Sequence, residues 1–391
     1  MNVAIASETV DVRRGGAETS VAEMARLLAQ RGLRVVVLHR GESRLSADDP
    51  AAAAGQPEFV PIHVAAGSKT ARTLGYLQRV EQWRREHPEF LLHAVTPCLS
   101  ADVYQPRGGT YAETILRSHA MVRSSLSRWM KSLGRRLNRR QQLLLRVEEA
   151  LLRGPRPPLV ACVSDYVRRQ VLGGFPGFPP ERARVVFNGV DVVPLDGAAA
   201  ARKRVELRQA WRLGEGPVLL FVAHNFKLKG LAELLEALRR RPPRDAAWRL
   251  VIAGRDNSRP YQRRAASAGI AEHLRFVETH VPVVEWYAAA DVLVHPTWYD
   301  PCSRVVLEAL CCGLPVVTTE LNGAAEMIAA GVHGQVVSRP ADFAALAQAI
   351  EACLTPAVRA SCQAAAAAAR ERLAMARHVG ELVDLYDQTS L

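Results

Sequence analysis

The chain predicts an α/β protein made of two doubly wound parallel sheets. Three observations carry that expectation. Its 391 residues exceed what a single hydrophobic core usually organises. Short β-branched runs alternate with helical runs of roughly 10–15 residues from end to end, which is the rhythm of βαβ units. The strand runs are continuously apolar rather than alternating, as expected for strands buried on both faces of a parallel sheet.

Taken in order, the strand candidates of the first half are residues 3–7, 35–39, 59–64, 91–96, 159–164 and 184–187. Those of the second half are 217–223, 248–254, 274–278, 291–296, 315–319 and 334–338. The stretch 188–201 is rich in Gly, Pro and Ala and marks the break between the two sets. The division is therefore 1–192 and 193–374, with a last helix at about 375–391 expected to pack back on the first domain. Open parallel sheets bind ligands beyond the carboxyl ends of their strands. Two such domains facing a cleft place the candidate site residues just after strands.

Composition narrows the class. A hydrophobic content of 49% describes a globular chain. No apolar run is long enough to span a bilayer, and residues 1–7 read as a first strand rather than a signal, so a cytoplasmic protein is expected. Seven cysteines without paired C-x-x-C spacing fit buried thiols in a reducing compartment, and no metal site is expected. The net charge of +12 is local: nine Lys or Arg and no acid lie between residues 114 and 147, and subtracting them leaves +3. A chain-wide affinity for nucleic acid is not implied, and few aromatics and no recognised module point to one.

Three segments carry candidate chemistry. Gly15 and Gly16 precede a helix at 17–31, where the backbone can approach a phosphate or simply turn. The spacing is not G-x-G-x-x-G, which disfavours a dinucleotide oxidoreductase. After the strand at 217–223 come His224, Lys227 and Lys229, cations suited to a diphosphate unless they are only solvated. Residues 299–315, YDPCSRVVLEALCCGLP, open as a helix with Asp300 as N-cap and Pro301 at the first helical position, and Gly313 ends it. The backbone amides of Cys302, Ser303, Arg304 and Val305 are then free donors for an anion. Glu308, an acid in an apolar helix, needs ligand hydroxyls or a pairing with Arg304 one turn earlier.

The second half resembles the retaining glycosyltransferases of family 4, which have the GT-B fold. Asp300 and Glu308, with seven residues between them and followed by ALCCGLPVV, match that family's acid pair, although its first acid is commonly Glu. The likeness extends to VSDYV (163–167), VVFNGVD (185–191), the KLKG turn, VIAGRDN and NGAAEMI (322–328). Within the family it resembles in particular the glucosyltransferases of lipopolysaccharide core that act on heptose, through CLSADVYQPRGG (98–109). The resemblance implies transfer of a hexose, glucose from UDP-glucose being the leading choice, onto a glycan or lipid-linked acceptor. It implies retention, no metal and no cofactor beyond the nucleotide sugar as substrate. GDP-mannose or another donor is the alternative within the family; a basic membrane- or nucleic-acid-binding protein without catalysis is the alternative outside it.

Residue by residue, the resemblance gives Gly15 and Gly16 to the phosphates and donor sugar, and Lys229 to the diphosphate, with His224, Lys227 and Val281 beside it. Asp300 touches donor hydroxyls, and Glu308 the ribose. The catalytic residues the resemblance implies are Asp300 and Asp102, the latter an acidic group that orients or assists the acceptor hydroxyl, so Asp102→Asn is expected to keep donor binding and lose transfer. An Asp where Glu is commoner shortens the reach to the sugar by one methylene.

The basic segment reads as one or two helices whose apolar stripe is Leu126, Met130, Leu133 and Leu137. Arg123, Arg128, Trp129, Lys131, Arg135, Arg136, Arg139 and Arg140 surround it. They are either a solvated face or a patch for an anionic membrane, which would make the protein peripheral on the inner face of the cytoplasmic membrane. The membrane reading predicts binding to anionic vesicles that weakens as salt rises. Equal binding to neutral vesicles would refute it.

Overall fold

A computed structural model describes residues 1–10, 16–40, 55–121, 138–277 and 281–389. Contacts divide the chain into two compact units, residues 1–189 with 375–391, and residues 190–374.

The first unit is a seven-stranded sheet in the order β3-β2-β1-β4-β5-β6-β7. Its strands are β1 (Asn2–Ala6), β2 (Arg34–His39), β3 (Glu58–Pro61), β4 (Phe90–Ala94), β5 (Val103–Tyr104), β6 (Leu159–Cys162) and β7 (Ala183–Val185). Every neighbouring pair is parallel. The helices are α1 (Gly16–Gln30), α2 (Lys69–Glu86), α3 (Tyr111–Ala120), α4 (Arg139–Arg153) and α5 (Asp165–Gly174). Short polar side chains start three of them: Ser68, Asn138 and Ser164 accept the amides of Ala71, Gln141 and Val167. Gly16 already lies in the first turn of α1, not in a loop before it. Gly15 lies outside the described residues, as do residues 122–137.

The second unit is a six-stranded parallel sheet in the order β10-β9-β8-β11-β12-β13. It comprises β8 (Val218–Val222), β9 (Arg249–Ala253), β10 (Leu274–Val277), β11 (Val292–His295), β12 (Val316–Thr319) and β13 (Gly334–Val337). Its helices are α6 (Gly197–Ala210), α7 (Leu231–Arg240), α8 (Arg259–Ser267), α9 (Val283–Ala289), α10 (Arg304–Cys311), α11 (Phe343–Cys353) and α12 (Pro356–Leu373). Phe221, Phe226, Leu234 and Trp248 lie in the core on one face of this sheet. No described helix is long and apolar enough to cross a membrane. All seven cysteines are free, and six are buried.

All twelve strand candidates are present, with ends that differ by up to three residues. The two-residue β5 has no counterpart among them. It is too short to show as an apolar run, and its position changes the meaning of Asp102, as described below.

In both sheets the first strand is flanked by the next strand on one side and a later one on the other: β2 and β4 about β1, β9 and β11 about β8. The order in which strands are added reverses there, and the loops leaving the two central strands diverge to open a crevice.

The last helix, α13 (Met375–Asp387), belongs to the first unit and packs Met375, Val379, Leu382 and Tyr386 into its core. Two buried histidines anchor it. His378 Nδ1 donates to the Phe187 carbonyl at 2.8 Å, so Nε2 carries the lone pair and faces the Arg107 guanidinium at 3.4 Å. His93 Nδ1 shares a hydrogen bond with the Tyr386 hydroxyl at 2.6 Å. Burial, then the charge of Arg107, lowers both imidazoles, His93 to about 3.

A base with a depressed folded pKa binds fewer protons folded than unfolded. Stability from these two sites is therefore full above pH 6.5 and falls as pH drops below it. Each site is expected to remove up to about 1.4 kcal/mol per pH unit. Denaturant melts between pH 7 and pH 4 check this, with His378→Gln expected to flatten the slope.

Candidate functional site

The crevice of the second unit is formed by the loops after β8 and β11. The loop His224–Gly230 can turn tightly because Gly230 has φ +81°, and a Cβ there would stand 2.0 Å from the Pro296 carbonyl. The second loop binds the first along its length: Trp298 N donates to the Leu228 carbonyl at 2.9 Å, and the Thr297 hydroxyl does so at 3.2 Å. Lys229 and Asp300, 71 residues apart in sequence, meet with Nζ 2.6 Å from Oδ2. Lys229 also donates to the Tyr299 carbonyl at 3.3 Å.

Asp300 is held from every side. Its backbone bridges to Asn322, with Asp300 N donating to Leu321 O and Gly323 N donating to Asp300 O. Burial disfavours its ionised form, but Lys229, assisted by His295 at 3.7 Å, outweighs that and holds the carboxyl well below the usual range. His295 itself is buried, stacks on Phe221 and shares a hydrogen bond with the Ser303 hydroxyl at 3.3 Å. Burial lowers its pKa, so it is a neutral dipole behind the pair.

The helix opening differs from the expectation. Ser303, not Asp300, is the N-cap, and Pro301 lies before α10 rather than in its first turn. The bridge to Asn322 keeps Asp300 extended and delays the helix by three residues. Two of the four expected free amides are also taken: Cys302 N donates to Asp300 Oδ1 at 3.2 Å, and Ser303 N to Asn322 Oδ1 at 3.1 Å. Glu308 stands on α10 with both oxygens engaged, Oε2 accepting the Tyr287 hydroxyl at 2.9 Å and Oε1 lying 3.5 Å from Arg304. The Arg304 pairing offered by the sequence is thus present. An ionised carboxylate has about four lone-pair sites, so acceptor capacity remains.

His224 and Lys227 are exposed in the β8 loop, and Val305 is half-buried in the first turn of α10. Val281 is half-buried in the bend before α9, and residues 278–280 beside it lie outside the described residues. His295, Thr297 and Asn322 organise the pocket without having been singled out in the sequence. The signal for the first two was the polar pair in HPTW, directly after an apolar strand.

The first unit brings a larger correction. Asp102 immediately precedes β5, so it lies on the amino edge of the sheet, opposite to where a ligand is expected. Both its oxygens are engaged: Oδ2 accepts Leu92 N at 2.7 Å, and Oδ1 pairs with Arg84 at 2.6 Å. It splices β5 onto β4. A buried acid at the carboxyl edge is Glu8, just after β1, joined by Arg40, by Arg140 at 2.7 Å and by the Thr73 hydroxyl at 2.8 Å. Arg140 therefore points to a carboxylate rather than belonging to a purely solvated patch; Arg139 beside it is exposed. Arg123, Arg128, Trp129, Lys131, Arg135 and Arg136 lie outside the described residues. Among those described, no three acidic, His or Cys side chains converge as a metal site.

Comparisons with known proteins agree with the fold. The model of glycosyltransferase family 4 matches residues 14–193, and that of glycosyl transferases group 1 matches residues 216–356. A D-inositol 3-phosphate glycosyltransferase of Geodermatophilus obscurus is 30% identical over 375 residues, covering 86% of this chain and 77% of that protein. The lipopolysaccharide glucosyltransferase WaaG of Escherichia coli K12 is 25% identical over 330 residues, 83% of this chain and 82% of that one. The crystal structure of WaaG matches with a TM-score of 0.77 at 23% identity, covering 98% and 99% of the two chains. HepE of Anabaena in complex with UDP-glucose matches with a TM-score of 0.71 at 18% identity, covering 99% and 100%.

The placement of Asp102 changes what its substitution should do. Asp102→Asn is expected to lose about 1 kcal/mol, a drop of about 2–4 °C in Tm, by weakening a half-exposed ion pair. Turnover should stay within about 3-fold of wild type. Thermal melts beside initial rates check this, and loss of transfer at unchanged stability would restore Asp102 as a catalytic residue.

Proposed function

The chain belongs to glycosyltransferase family 4 and has the GT-B fold, and on that premise we propose that it moves a hexose from a nucleoside diphosphate sugar, UDP-glucose first among them, onto a glycan or lipid-linked acceptor. The observation that carries the reading is the Lys229–Asp300 pair at the switch point of the second unit, with Glu308 on the helix that follows. A cation suited to a diphosphate, a buried carboxylate suited to sugar hydroxyls, and an acid suited to a ribose stand on consecutive stretches of one crevice. The UDP-glucose complex of HepE supports the choice of donor, and the likeness to WaaG supports a lipopolysaccharide-type acceptor.

The chemistry follows from these groups. The bond between the anomeric carbon and the β-phosphate oxygen breaks, leaving negative charge on the diphosphate. Lys229 and the amides that begin α10 stabilise that charge electrostatically, which is why we propose a metal-independent reaction. The acceptor hydroxyl attacks from the face the diphosphate leaves, its oxygen bonds the anomeric carbon, and its proton passes to the departing phosphate oxygen. Configuration is retained without a covalent enzyme intermediate. Asp300 accepts from a donor hydroxyl and orients the sugar, while Lys229 shifts between its carboxylate and the phosphate. On the acceptor side, Glu8 with Arg40 and Arg140 is a charged group at the carboxyl edge of the first unit.

Thermal shift and donor hydrolysis across UDP-, GDP- and ADP-sugars test the reading. UDP-glucose is expected to raise Tm, with Glu308→Ala weakening it about 10-fold or more through loss of charge-assisted hydrogen bonds. Product stereochemistry by NMR should show retention, and a chelator should leave the rate unchanged. If no nucleotide sugar moves the transition, the assignment falls.

A further inference from the structure

We propose that the second unit carries an additional anion site, on the amino edge of its sheet, that takes the phosphoryl group of a small phosphorylated metabolite or of inorganic phosphate. Asp291 marks the place, directly before β11, with its amide bonded to the Val218 carbonyl. Three guanidinium groups converge on its one carboxylate: Arg204 at 2.6 Å, Arg208 at 2.7 Å and Arg359 at 3.0 Å. Val218 N donates to the same carboxylate at 2.7 Å.

The three arginines are not equivalent. Arg208 is almost fully buried and also donates to the carbonyls of Ala289, Gly214 and Gly216, so it is structural. Arg204 spends part of its charge on the carbonyls of Ala288, Ala289 and Ala290, which close α9. Yet the Arg204 and Arg359 side chains remain 30% and 37% exposed, and both line a cavity of about 210 Å³ with Tyr287, Cys312 and Gln363. Asp291 is the carboxylate shared by all three cations, and Glu215 acts on Arg208 besides, so the cluster keeps a surplus positive charge at Arg204 and Arg359 around a concave space. A second anion is the partner that this surplus favours, and the planar fork of arginine matches phosphate oxygens. The volume is below the roughly 300 Å³ at which ligand pockets usually begin, so a nucleotide sugar is too large and a phosphate or sugar phosphate is the fitting size.

Helix α10 links this amino-edge cavity to the donor crevice: Tyr287, which lines the cavity, donates its hydroxyl to Glu308, and Cys312, also in the lining, ends the helix that carries Glu308. Occupancy is therefore expected to alter donor affinity; this clause alone rests on Glu308 belonging to the donor site.

Isothermal titration with inorganic phosphate, and separately with glucose 6-phosphate, tests the proposal on the full chain with UDP saturating so that the donor crevice is filled. Binding should persist under UDP and weaken at least 10-fold in Arg359→Gln. Ala201→Glu keeps all three arginines and sets a carboxylate beside them. It should abolish binding and raise the unliganded Tm, which guards against a variant that merely unfolds. Tighter binding of the sugar phosphate would name a phosphorylated metabolite as the ligand, and equal binding would name free phosphate. Phosphate should also change donor KM about 3-fold or more in wild type and not in Arg359→Gln. Binding that vanishes under UDP, or is unchanged in both variants, overturns the site. If UDP itself does not bind, the donor reading fails while the two variants still decide the phosphate site.

Discussion

A lysine and an aspartate 2.6 Å apart close the carboxyl edge of the second sheet, and most of what surrounds them exists to keep them there. An ion pair removed from water is stable only when its remaining donors and acceptors are met. The Tyr299 carbonyl, the Cys302 amide and the nearby His295 imidazole meet them. The glycine at 230 lets the first loop pass against Pro296, and the Asn322 bridge holds the second loop extended. Without those two backbone devices the pair could not form, because neither residue reaches the other from its own strand.

The same pair sets the chemical balance of the site. Lys229 is already compensated by Asp300. On the proposed reading, a diphosphate draws it away and sugar hydroxyls then satisfy the carboxylate, so that donor binding and rearrangement of the pair go together. Glu308 is poised similarly, with Tyr287 and Arg304 supplying partners that leave it acceptor capacity. A rearrangement completed on binding leaves the charges in place before the bond breaks, which is how electrostatic catalysis avoids reorganisation during the reaction.

Basicity divides by location rather than by amount. At the carboxyl edge of the first unit Arg40 and Arg140 surround Glu8, and at the amino edge of the second unit three arginines surround Asp291. Each cluster holds more cations than anions. Clusters of this kind account for part of a net charge that, in sequence, looked confined to one segment.

The sequence by itself determined the α/β class, twelve strands and the pairing of an acid with a second acid eight residues on, because apolar periodicity and local spacing are written in contiguous residues. It also located Lys229 and Glu308 on the elements where they are found. Tertiary structure alone decided what lies across from them. The ion pair joins positions 229 and 300 only because β8 and β11 are neighbours, and strand order is not encoded in any window of the chain. The bridge to Asn322 moved the helix start from Asp300 to Ser303 for the same reason. Asp102 is the sharpest case: its role turned on a two-residue strand that becomes a strand only because Leu92 and Leu159 hydrogen-bond to the backbone of Asp102 on either side. Local pattern sets what an element is; long-range hydrogen bonds set which edge of the sheet a side chain serves.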